Sequence, residues 1–251
     1  MGNKKILITG GSRGIGLAIA RKLISDGHNV LITGRNADRL AKAAKEINAC
    51  GYIQADKTNK DAPSSILEGA VHILGGIDVL VNNAGVYVWS PIEKTPSETV
   101  EELLKVNLQT PYELCRLVVP VMKAQRYGRI INIGSISGAV GEANASLYSL
   151  TKAGLIGMTK ALALELAEWG ITVNTINPGW VKTDMLAEVT ASPMCENDEN
   201  GFSEQEQLDM IPQKRWIEPE EVASLVDYLI SDAACGITGQ SINLCCGLSL
   251  G

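Results

Sequence analysis

Tyr148 and Lys152 lie four residues apart, a spacing that puts both on one face of a helix, one turn from each other. A phenol ionises near about 10, too high for proton exchange at neutral pH. A neighbouring ammonium favours the phenolate and would draw that value towards the working range. Ser135 stands thirteen residues before Tyr148, just behind the apolar run Arg129-Ile-Ile-Asn-Ile-Gly134. Leaving a buried strand there, its hydroxyl could donate to the same reacting oxygen. Taken alone, the spacing favours an ordinary Tyr and Lys on a helix surface, so their setting decides.

That setting is a regular alternation of strand and helix. Strands are expected at Lys4 to Thr9, Asn29 to Thr33, Gly51 to Ala55, Ile77 to Val81, Arg129 to Ile133, Thr172 to Ile176 and Gln240 to Leu244. Helices are expected at Ile15 to Ile24, Asp38 to Ile47, 61–74, Ser97 to Gln125 with an interruption near Pro111, Ser146 to Trp169, and Glu218 to Ser231. Most strands are apolar throughout, the pattern of a parallel sheet covered on both faces. Right-handed crossovers then give a single-domain α/β doubly wound parallel sheet, a Rossmann fold over residues 1–251, with ligands at the carboxyl ends of its strands. The one irregular stretch, Lys182 to Arg215, is expected to supply a substrate lid over 185–215, because it leaves that edge.

The first strand runs into Thr9-Gly10-Gly11-Ser12-Arg13-Gly14-Ile15-Gly16. Glycines permit a tight turn and let backbone N–H groups approach a pyrophosphate on the following helix terminus. Placed between a strand and an apolar-periodic helix, the turn points to dinucleotide binding. The second strand ends Ile32-Thr33-Gly34-Arg35, without the carboxylate that would hold a ribose diol. Arg35 and Arg13 could instead pair a 2′-phosphate, which favours NADP(H).

Composition limits the alternatives. The 251 residues are 45% hydrophobic with net charge -6, enough for a full core and no support for nucleic-acid binding. No apolar run approaches the roughly 20 residues of a membrane span, and the N-terminal run Ile6-Leu-Ile8 is too short for a signal-peptide core. The six cysteines include no C-x-x-C pair, and Cys245 and Cys246 are adjacent, which suits neither an ordinary disulfide nor tetrahedral metal ligation. A cytoplasmic, metal-free domain is expected.

The glycine spacing, Gly10, Gly14 and Gly16, together with Asn82-Asn83-Ala84-Gly85, Asn107, Ser135, Tyr148-x-x-x-Lys152 and Asn177-Pro178-Gly179, resembles the short-chain dehydrogenase/reductase family along essentially the whole chain. The resemblance implies hydride transfer between the nicotinamide and a carbonyl or alcohol carbon. In it, Tyr148 is the general acid or base, Lys152 lowers its pKa and binds the nicotinamide ribose, Ser135 orients the substrate oxygen, and Asn107 holds a water linking Lys152 to solvent. It places Asn83, Ala84 and Gly85 against the cofactor, with Pro178, Gly179, Val181 and Thr183 beside the carboxamide, and Asp56 with its neighbour Lys57 near the adenine.

The C-terminal half, from Ile211-Pro-Gln-Lys-Arg215 to Ile237-Thr-Gly-Gln240, is similar to 3-oxoacyl-carrier-protein reductases and polyketide ketoreductases. That implies an acyl-thioester substrate, fatty-acid or polyketide chemistry and a homotetramer. Arg126 stands where such enzymes meet an acidic acyl carrier protein, although Trp169 occupies the second such position. A free ketone or secondary alcohol, such as a sterol, sugar or polyol, is the alternative substrate. A non-catalytic NADP-binding regulator is the alternative of another class. The segment Gly141-Glu-Ala-Asn-Ala145, which should border the substrate, carries no feature that identifies it.

Overall fold

A computed structural model describes residues 2–56, 58–184, 186 and 204–249. Lys57 and most of the expected lid, residues 185 and 187–203, lie outside the described residues. Seven strands form one parallel sheet: β1 (Lys5–Thr9), β2 (Asn29–Gly34), β3 (Gly51–Gln54), β4 (Val79–Asn82), β5 (Gly128–Ile133), β6 (Ile171–Pro178) and β7 (Ser241–Leu244). Their order in space is β3-β2-β1-β4-β5-β6-β7. The chain therefore builds outward from β1 in one direction, then restarts at β4 and builds in the other. The crevice between the ends of β1 and β4 is the place where such a sheet receives a ligand.

The strands are apolar throughout because consecutive side chains serve two different cores. Ile6 and Ile8 pack on one face with Ile19 and Leu23 of α1 (Gly14–Ser25), Leu40 of α2 (Ala37–Ile47) and Val222 and Val226 of a C-terminal helix, Pro219–Ile230. Leu7, between them, faces the other core with Ile66 of α3 (Ala62–Leu74). Leu114, Val118 and Met122 of the helix Thr110–Gln125 join that second core. Each fully buried Leu or Ile contributes about 1.5–3 kcal/mol of transfer free energy, so both faces hold the sheet.

Asparagine and threonine side chains in and behind the centre of the sheet form a chain of hydrogen bonds. Asn82 donates to Asn132 (2.9 Å), Asn132 to Thr159 (2.8 Å), and Thr159 shares a 2.6 Å bond with Thr175.

Most of the expected elements are present, and the differences bear on the site. The segment expected as one helix with a break near Pro111 has three parts: α4 (Ser97–Leu104), a π-helical stretch (Lys105–Gln109) and α5 (Thr110–Gln125). Pro111 sits in the first turn of α5, where its missing N–H costs no helical bond, so the irregularity falls just before it. Two short helices were not expected: α6 (Ser137–Val140), preceding the long α7 (Ser146–Leu166), and α8 (Glu204–Met210) inside the irregular stretch. The last helix, α9 (Pro219–Ile230), starts where the Glu221 carboxylate accepts from Glu218 N–H (2.8 Å) and Glu221 N–H donates to Glu218 O (3.0 Å). Arg215 grips the Glu221 carboxylate with two bonds of 2.7 and 2.8 Å.

Candidate active site

A cleft of about 990 Å³ opens along the carboxyl ends of the strands. At one end lies the turn from β1 to α1. Gly10 and Gly14 hold φ of 71° and 54°, the left-handed region that a side chain disfavours. Gly16 is required for a different reason. A Cβ there would lie 2.3 Å from Gly10 O and 2.4 Å from Asn83 Nδ2. Asn83 uses that amide to donate to Thr9 O (2.9 Å) and Gly10 O (3.1 Å), while Thr9 Oγ1 accepts from the N–H groups of Asn83 and Ala84. The β4 exit is thus sewn to the β1 exit, and the helix start is pressed against both. No carboxylate occupies the first turn of α1, so its N–H groups remain available to an anion.

Gly10, Ser12, Arg13, Gly14, Ile15, Gly16, Arg35, Asn83, Ala84 and Gly85 all line the cleft, as do Ser135, Tyr148, Lys152, Pro178, Gly179, Val181 and Thr183. The strip 178–183 is braced from behind: Gly179 N–H donates to Leu244 O (2.9 Å), Val181 bridges to Ile217, and Trp180 packs on Trp216. Arg13 approaches Asp184 (3.9 Å), and Arg35 approaches Glu102 (3.6 Å) with its side chain 56% exposed. Exposed pairs of this kind hold a side chain weakly, so the Arg35 guanidinium can turn towards a phosphate. Glycines that admit a pyrophosphate, a helix start without its own anion, Arg13 in the β1–α1 turn and Arg35 beyond β2 all fit a dinucleotide.

Two expected contacts are not brought together. Asp56 is not among the residues lining the cleft. Its carboxylate accepts from the Thr58 hydroxyl (2.7 Å) and N–H (2.9 Å), bonds that, with nearby Arg35, hold its pKa below the ordinary range. Asn107, 1% exposed, also sits behind the cleft. Its Oδ1 accepts from Val86 N–H (2.9 Å), and its Nδ2 donates to Val86 O (2.8 Å) and to Thr151 (3.3 Å). The π-helical stretch turns this side chain inward to clamp the loop after β4. One lone pair of Oδ1 is left for the expected relay water. Gly85 keeps the intervening space open, since a Cβ on it would stand 3.4 Å from Asn107 Oδ1 and 3.5 Å from Lys152 Nζ.

The chemistry-bearing residues meet as their spacing suggests, with different electrostatics. Tyr148 hydrogen-bonds with Ser135, and its ring packs edge-on against Tyr87 at 4.9 Å. Lys152, 4% exposed, donates from Nζ to Ile133 O (2.9 Å), and Nζ lies 5.5 Å from the centre of the Tyr148 ring. Burial lowers the Lys152 ammonium to about 8. Burial also drives the Tyr148 phenol up to about 12, with Ser135 opposing the shift and the Glu142 charge adding to it. The lowered phenol expected from Lys152 is therefore not what the protein alone establishes, because desolvation of the ring oxygen outweighs its neighbours.

Ser135 likewise has company that the sequence did not suggest. Its Oγ donates to Ser137 Oγ (3.0 Å), Ser137 donates to Glu142 Oε2 (2.6 Å), and Tyr87 donates to Glu142 Oε1 (2.7 Å). Glu142, Ser137, Tyr87 and Trp89 all line the cleft. No spacing rule marks Glu142, which reaches this place because α6 and the loop after it fold back towards Ser135. Among the described residues, no group of three or more His, Cys, Asp or Glu could hold a metal ion, and no helix is long and apolar enough to cross a membrane.

Comparison with known proteins agrees with this geometry. The family model for short chain dehydrogenases matches residues 4–193. A 3-oxoacyl-[acyl-carrier-protein] reductase of Aquifex aeolicus is 39% identical over 246 residues, covering 96% of this chain and 95% of the relative. The actinorhodin polyketide ketoreductase, solved as a variant with NADPH, superposes with a TM-score of 0.93 at 34% identity, over 98% of this chain and 97% of that one. A 3-ketoacyl-(acyl-carrier-protein) reductase from Brucella melitensis, solved with NADH, gives a TM-score of 0.89 at 28% identity over 98% of each chain.

Proposed function

The chain belongs to the short-chain dehydrogenase/reductase family, and from that premise we propose that it is an NADPH-dependent ketoreductase whose substrate is a 3-oxoacyl thioester. The observation that carries the reading is the convergence of Ser135, Tyr148 and Lys152 on one wall of the cleft that begins at the Gly10–Gly16 turn. When bound, the nicotinamide supplies the hydride. The protein's own residues manage the proton and the geometry. With its pKa pushed up to about 12, Tyr148 holds its proton at neutral pH and can give it to the carbonyl oxygen as the alcohol forms. Ser135, on rotation of its hydroxyl away from Ser137, donates to the same oxygen and stabilises charge developing there. Lys152 keeps its ammonium beside Tyr148 and binds the nicotinamide ribose, and Asn107 holds the loop after β4 in place behind them.

NADPH is preferred over NADH in this reading because Arg13 and Arg35 border the cleft and β2 ends without a carboxylate. A thioester is supported by the names of the relatives and by a basic surface near α5. There Lys123 and Arg126 lie over the Trp169 ring at 4.9 and 5.4 Å. Trp169, which replaces a docking cation in the sequence, thus orders two cations for an acidic acyl carrier protein. A substrate lid is supported by its described part alone: Leu186 and, from α8, Glu206, Gln207 and Met210 line the cleft. The reading also carries a cytoplasmic homotetramer, supported by the exposed Leu164 and Leu150 of α7.

Tyr148→Phe tests it. The variant keeps the ring packing and loses the proton, so NADPH binding should persist while turnover of acetoacetyl thioesters falls about 10²–10⁴-fold. Turnover retained within a few-fold would refute the acid role.

A further inference from the structure

The least expected group in the cleft is the Glu142 carboxylate. Two bonds, of 3.0 and 2.6 Å, connect Ser135 Oγ to it through Ser137. Tyr87, whose ring abuts Tyr148, fixes its other oxygen at 2.7 Å. Both protein partners donate, so the carboxylate is held as an acceptor, with further lone pairs open to the cleft. The cations that line the cleft among the described residues stand elsewhere. Arg13 and Arg35 belong to the glycine-turn end, and the Lys152 ammonium is engaged by Ile133 O. A second carboxylate, Glu206 of α8, lines the same cleft.

We propose that Glu142 is the charge-selecting residue of the substrate site. It rejects substrates bearing a carboxylate beside the reacting carbonyl and admits neutral acyl derivatives or cationic ketones. The physical cause is like-charge repulsion in a desolvated cleft. A substrate whose carbonyl oxygen meets Ser135 and Tyr148 brings its neighbouring substituent within a few ångströms of the Glu142 oxygens. At about 6 Å and an effective dielectric of about 20, repulsion between two unit charges amounts to a factor on the order of 100 in binding. The selection rests on the proposed reduction of ketones at this site, and it gives a reason for the acyl group to be carried as a thioester. A free 3-oxo acid presents an anion to Glu142, whereas its thioester presents none.

The test uses three methyl ketones of different charge with the full chain and NADPH: acetoacetate, ethyl acetoacetate and acetonyltrimethylammonium. The acetoacetyl thioester of N-acetylcysteamine is run beside them. The wild type should show kcat/KM for acetoacetate at least about tenfold below that for the ethyl ester, with the cation at or above the ester. Glu142→Gln should shrink the ester-to-acid ratio about tenfold or more, whatever its absolute rates, and Glu142→Asp should keep it. A merely structural role would lower all rates together and leave the ratio intact. An unchanged ratio in Glu142→Gln overturns the inference, as does a wild type that reduces acetoacetate as well as the ester, or one that reduces neither the ester nor the cation. Reduction of the ester without the thioester, in the expected charge order, would instead overturn the thioester reading and leave the charge selection standing.

Discussion

Replacing Lys152 with methionine should make the protein more stable and inactive at once. The ammonium is buried, with no carboxylate paired to it, and its pKa falls from 10.5 to about 8. The unfolded chain therefore holds this proton more tightly than the folded one between about pH 8 and 10.5. Folded stability rises as pH climbs through that window, and below it the full penalty of the buried charge applies. At neutral pH the penalty is about 3 kcal/mol, from about 1.4 kcal/mol for each tenfold difference in proton affinity. Lys152→Met removes it and keeps a side chain of similar length. It also loses the bond from Nζ to Ile133 O, a loss of about 1 kcal/mol. The net gain at pH 7 is about 2 kcal/mol, or roughly 4–8 °C in Tm for a chain of this size. Urea unfolding of both proteins at pH 7 and near pH 10 measures it, since other lysines cancel in the difference. The advantage should vanish towards pH 10. A variant less stable than the wild type at pH 7, or a difference that does not change with pH, would refute the reasoning.

Two further outcomes follow from the cofactor end of the cleft. Arg35→Asp should shift selectivity from NADPH towards NADH by about tenfold or more, the worth of a charge-assisted bond to a phosphate. Its effect on stability should be small, because the pair with Glu102 is exposed. Unchanged NADPH selectivity in Arg35→Asp and in Arg13→Ala alike would remove the assignment. Gly16→Ala should cost about 1–3 kcal/mol through overpacking and weaken NADPH binding, because the new methyl displaces Gly10 O and the Asn83 amide. Thermal melts of the variant and the wild type would show the loss.

Much of the architecture could be read without coordinates. Strand runs such as Lys5–Thr9 and Gly128–Ile133 are apolar at successive positions only when both faces are covered, and that forces helices onto each side of a parallel sheet. Gly10 and Gly14 announce a backbone turn and Gly16 a close approach of helix to strand exit, because a side chain is disfavoured at each, and Tyr148 and Lys152 share a helix face by periodicity alone. These are local constraints, written in residue types and short spacings.

What the sequence left open depends on groups distant along the chain. The irregularity ahead of Pro111 became a π-helical stretch, and only its contact with the loop after β4 shows why Asn107 points inward. Asp56 was expected at the adenine, and the fold adds what its spacing did not show, two bonds from Thr58 to its Oδ1. The expected acidification of Tyr148 by Lys152 failed because a pKa reports desolvation and geometry together, and neither is a property of a spacing of four. Glu142 had no distinguishing neighbour in its segment. It gains a role only when folding brings Ser137, Tyr87 and Ser135 around it. Residue type and periodicity determined the sheet, the cofactor turn and the proton-bearing pair. The electrostatic character of the cleft was decided by burial and by long-range juxtaposition, which exist only in the folded chain.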